Sequence, residues 1–167
     1  MMKYNGLLQA FPKEIKVFIG VFVVVLSVGY FTGLLFVNET SGNSPQGIEE
    51  NYLGNEEDEE AEVMKFKKGE REMLTILHTH ILSMSFIFFL LGGLVWLAKL
   101  PKKVKLFLTV EPLLSVLFTF GGIYLMWKGM LWMKYIVICS GALMTLSFSL
   151  AALVVLYQVC KKPEAFK

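Results

Sequence analysis

Three groups of residues in this chain have types and spacing that could do chemistry. His78-Thr79-His80 opens a long apolar run, Glu111-Pro112 lies inside another, and Met126, Met130 and Met133 follow on either side of a short basic turn. An imidazole with nearby thioethers suits Cu(I), or a His/Met axial pair on haem b. A carboxyl inside hydrocarbon costs on the order of 3 kcal/mol on insertion scales, so it faces protein or water and marks a site or a pathway. His78 and His80 stand two residues apart, about 200° around a helix, so they do not chelate one ion together. Metal candidates are therefore either histidine with Met126, Met130 and Met133, and haem or quinol candidates are His78, His80 and Glu111.

The elements that must position these residues are spanning helices. Hydrophobic residues make up 55% of the 167 and charged residues 18%, with the apolar ones gathered into four continuous blocks. These cover residues 15–37, 73–98, 106–127 and 135–160. Each reaches the roughly 20 residues that about 30 Å of hydrocarbon requires, and none alternates as a membrane β-barrel strand would. The expected fold is all-α, an integral membrane four-helix bundle with a periplasmic loop between helices 1 and 2. Its parts are an N-terminal tail and first span (1–37), an acidic loop (38–72), an antiparallel set of three spans (73–160) and a short tail (161–167). The first block is too long for a cleaved leader and is followed by no small-residue cleavage site, so it reads as a retained anchor.

Orientation follows from Lys and Arg. Ten lie on the side of the termini and six on the other, which predicts cytoplasmic termini in a bacterial inner membrane. The acidic run from Glu56 to Glu62 has no EF-hand spacing and reads as a solvated loop or a docking surface for a basic periplasmic partner. Other expected partners are membrane lipid and further membrane subunits or a second copy, with no nucleic acid. Cys139 and Cys160 would stand about 30 Å apart on one helix, beyond disulfide reach. Gly29 and Gly33 form a GxxxG that allows close backbone approach in the first helix.

Depth along the helices separates the candidates. His78 and His80 fall in the outer leaflet and Glu111 in the inner one, about 15 Å apart along the normal. Glu111 either snorkels toward the lysines before it or lines a small polar cavity where Pro112 frees the carbonyl of Leu108.

Tyr52, Met64-Lys65-Phe66, Glu72-Met73-Leu74 and the His78-Thr79-His80-Ile81 start of the second span resemble uncharacterised small bacterial four-helix membrane proteins. The resemblance implies a bacterial inner-membrane setting and carries no activity, cofactor or site residue. Without a metal, nucleotide or hydrolase motif, the expected role is a non-catalytic accessory or structural subunit of an inner-membrane complex. One alternative is an electron-transfer module binding haem b or quinol through His78 or His80. The other is copper handling or a small transporter using the His/Met slab.

Overall fold

A computed structural model describes residues 4–42, 44–56 and 63–161. Among these residues the regular structure is entirely helical: α1 (Leu7–Ala10), α2 (Lys13–Ser41), α3 (Pro45–Leu53), α4 (Glu70–Leu97), α5 (Lys102–Trp127) and α6 (Met133–Cys160). The four long helices have 26 to 29 residues and are apolar enough to cross a membrane. At 1.5 Å per residue each is about 40 Å long, which clears the hydrocarbon and reaches the headgroups. They begin two to four residues before the apolar blocks because Lys13, Glu70, Lys102 and Met133 lie where helical backbone meets polar solvent.

The region between the first two spans is more ordered than a plain loop. Gly42 takes a left-handed φ of 58° and sends its N–H to the carbonyl of Asn38 at 2.8 Å, which ends α2. Ser44 then caps α3, its Oγ accepting from Gly47 N at 2.9 Å, with Pro45 at the first helical position. Residues 57–62, which carry most of the acidic run, lie outside the described residues.

Lipid gives apolar surface no reason to associate, so close approach and polar contacts must hold the helices together. α5 lies between α4 and α6, and α2 rests mainly on α6. Small residues set the two closest approaches. A Cβ on Gly122 would come within 2.9 Å of Val137, and one on Gly92 within 3.2 Å of Thr109. Gly29 and Gly33 meet no neighbour within 4 Å of a built Cβ, so the GxxxG of α2 is not used inside the bundle. The buried stripe of that helix runs instead through Ile19, Val23 and Tyr30. Tyr30 stacks on Phe148 of α6 at 4.0 Å, with Phe88 of α4 edge-on at 6.4 Å, and this cluster ties three spans together.

Hydrogen bonds close both ends. At one end Gln158 takes the N–H of Lys99 at 2.7 Å and returns its own amide to the Lys99 carbonyl at 3.3 Å, while Gln9 donates to it at 3.4 Å. Gly6 N reaches the Leu97 carbonyl there, so residues 6–9 lie beside the ends of α4 and α6. At the other end Lys134 pairs with Glu49 at 2.6 Å, Lys128 with Glu70 at 3.3 Å, and Trp127 donates to the Lys68 carbonyl at 2.8 Å.

Candidate functional site

The seam between α5 and α6 holds the chain's most unusual chemistry. Glu111 sits one turn before Ser115 on α5, so the i, i+4 geometry brings the Ser115 hydroxyl to its Oε1 at 2.5 Å. Antiparallel α6 presents Ser147 at the same level, and its hydroxyl donates to Oε2. Ser147 and its neighbour one turn on, Ala151, are small and buried, and that is what lets α6 approach closely enough to supply the donor. The carboxyl therefore faces the bundle and its serines. Of the lysines expected to draw it outward, the fully buried Lys105 is committed elsewhere: it donates to the carbonyl of Trp96 at 2.6 Å and neutralises the end of α4.

Proton counting orients the polar groups beside it. The Thr145 hydroxyl gives its one proton to the Gly141 carbonyl, so in its 3.2 Å contact with Tyr30 the phenol is the donor. Ser140 likewise donates to Ile136, so Thr119 donates to Ser140 at 2.7 Å. Three polar pairs thus step along α6, each joining it to another helix, and in hydrocarbon such bonds stabilise by about 0.6 kcal/mol on average.

A groove of about 640 Å³ runs along the outer side of the same seam, from Lys103 past Phe107 and Glu111 to Phe118 and Ile136, with the Cys139 thiol on its wall. Its walls are otherwise mostly apolar side chains.

The histidines diverge, as two residues of separation requires. His80 turns toward α5, where its ring stacks on Phe120 at 4.9 Å. Its Nδ1 lies 2.8 Å from the Ile76 carbonyl. A carbonyl only accepts, so Nδ1 carries the proton and Nε2 is left as the acceptor. His78 lies on the exposed surface of α4 beside Glu70, Arg71 and Thr75. Met126 is buried, Met133 half-buried and Met130 exposed. Among the described residues no three of His, Cys, Asp and Glu come together as a metal-ligating group.

Sequence reasoning singled out Glu111 without its donors. Ser115 was legible from the i, i+4 spacing. Ser147 was not, because the register of α6 against α5 depends on small residues spread over two helices.

Fold and seam together define a multi-pass helical membrane protein in which a part-buried carboxyl and paired hydroxyls join α6 to α5 and α2. The chain belongs to the Aq_1264_TM family, a transmembrane helical domain, whose family model matches residues 42–166 and so takes in α3 through α6. No curated protein and no solved structure matches it.

Proposed function

We propose that this protein is a non-catalytic accessory subunit of a bacterial inner-membrane assembly, with the start of the chain and the end of α6 on the cytoplasmic face. One observation carries the reading. Among the described residues every buried side-chain nitrogen and oxygen already has a hydrogen-bond partner, Glu111 included. A transport path or reaction centre needs polar groups held in reserve for its substrate, whereas here they join helix to helix. Among the described residues the connection between α2 and α4 contains only α3, and the other two between the spans are each under six residues. The excess of Lys and Arg on the side of the termini supports the orientation.

The test is purification of the tagged chain in mild detergent, followed by subunit analysis and an absorption spectrum before and after dithionite. A colourless preparation that keeps other subunits at fixed stoichiometry is expected. A reduced b-type band would overturn it.

A second reading, an electron-transfer module, is favoured by His80. An imidazole whose Nδ1–H is held by a backbone carbonyl, with Nε2 free, has the orientation in which metal-ligating histidines are normally fixed. A b-type band lost in His80→Ala and kept in His78→Ala would establish that reading.

A further inference from the structure

The groove between α5 and α6 combines three features that the proposed role does not use: an apolar trough, a cation at one mouth, and a length set by two helices. We propose that it is a specific site for one anionic phospholipid, its phosphate at Lys103 and one acyl chain lying between α5 and α6.

Length is the first argument. From Lys103 to Phe118 the groove follows fifteen residues of α5. At 1.5 Å per residue that is about 22 Å, against roughly 15 Å for the hydrocarbon of one leaflet. A chain anchored at the headgroup level therefore lies in the groove along its full depth. The volume, about 640 Å³, falls within the range of roughly 300–1,000 Å³ typical of sites that bury a small ligand.

Charge is the second. Lys103 stands in the first turn of α5, exposed, and among the described residues no carboxylate pairs with it. Lys103 is the one ammonium group among the residues that line the groove, and it stands at the mouth where a phosphate would sit. Three cations at the opposite end of the bundle differ in this respect: Lys68, Lys128 and Lys134 each hold a glutamate.

Hydrogen bonding is the third, and it separates a lipid chain from a ring-headed ligand such as a quinone. Ser115 gives its proton to Glu111, and Ser140 gives its proton to the Ile136 carbonyl. Deep in the groove, quinone carbonyls would find only the Cys139 thiol, a weak donor. An acyl chain asks for no donor there.

The experiment uses the full chain, purified in mild detergent and delipidated, then incubated with phosphatidylglycerol or phosphatidylcholine of identical chains. Native mass spectrometry counts the lipid retained. Phosphatidylglycerol should be retained at least five-fold over phosphatidylcholine, the ratio expected when a lysine meets an anionic lipid. Lys103→Glu should erase that ratio. Leu114→Trp, which fills the trough and leaves Lys103 in place, should lower retention of both lipids. Because the preference is a ratio within one sample, a partly destabilised variant still reports it. Equal retention of the two lipids by the wild type, a ratio that survives Lys103→Glu, or retention unchanged by Leu114→Trp would overturn the proposal.

Discussion

Replacing Ser147 with Ala should weaken the bundle by more than any other single hydroxyl deletion, and the size of the effect depends on Glu111. Ser147 is 1% exposed and its hydroxyl donates to Glu111 Oε2, so the substitution removes one hydrogen bond and leaves a gap no larger than an oxygen. A bond between helices in a membrane contributes about 0.6 kcal/mol on average and about 1.7 at most. Ser115 still serves Oε1, so the carboxyl is not stranded, and a cost of about 1.5 kcal/mol follows, close to tenfold in the folding equilibrium. The control is the same substitution in a Glu111→Leu background, where Ser147 has no carboxyl to serve and its loss should cost under about 0.5 kcal/mol. Reversible unfolding in mixed micelles, followed by circular dichroism, supplies all four corners of the cycle. Costs that simply add would refute the reasoning, because Ser147 would then hold the helices without the carboxyl.

Further outcomes follow from the two ends of the bundle and from the α2–α3 elbow. Gln158→Leu should cost about 1–3 kcal/mol by orphaning the Lys99 N–H and carbonyl, and hydrogen exchange should rise in residues 97–101. Gly47→Ala drives a Cβ into the Ser41 carbonyl oxygen, so limited proteolysis should open the chain between α2 and α3 while the other spans stay protected. The hydrogen bond from Lys128 to Glu70 holds the Lys128 ammonium above its usual range. A raised folded value stabilises below the unfolded lysine value of about 10.4 and stops doing so as pH climbs through the folded one. Lys128→Gln should therefore lower the melting temperature by the same small amount from pH 6 to pH 9, with the difference from wild type closing as pH rises past the ordinary lysine range.

The spans were legible because hydrocarbon thickness and continuous apolar runs constrain a chain more tightly than any tertiary contact does. Helix contacts were less so. Gly29 and Gly33 have the spacing of a packing motif, yet the stripe through Ile19, Val23 and Tyr30 turns them outward; Gly122 and Gly92, with no such motif, make the close approaches. The helix α3 had a readable start, Ser44 followed by Pro45, and its short length kept it below the apolar blocks in prominence. The first turn, α1, has only four residues and is held by contacts with Leu97 and Gln158 that no local pattern announces. Glu111 was conspicuous by its place in hydrocarbon. The direction of its carboxyl depended on Ser147, 36 residues away, and on Lys105 being taken by Trp96.

The proposed role as part of a larger membrane assembly is tested by the native mass of the particle extracted with its surrounding lipid, without detergent. A mass exceeding the 18.9 kDa chain by one or more different subunits at fixed ratio is the predicted result. A particle containing only this chain, as a monomer or as copies of itself, would contradict it.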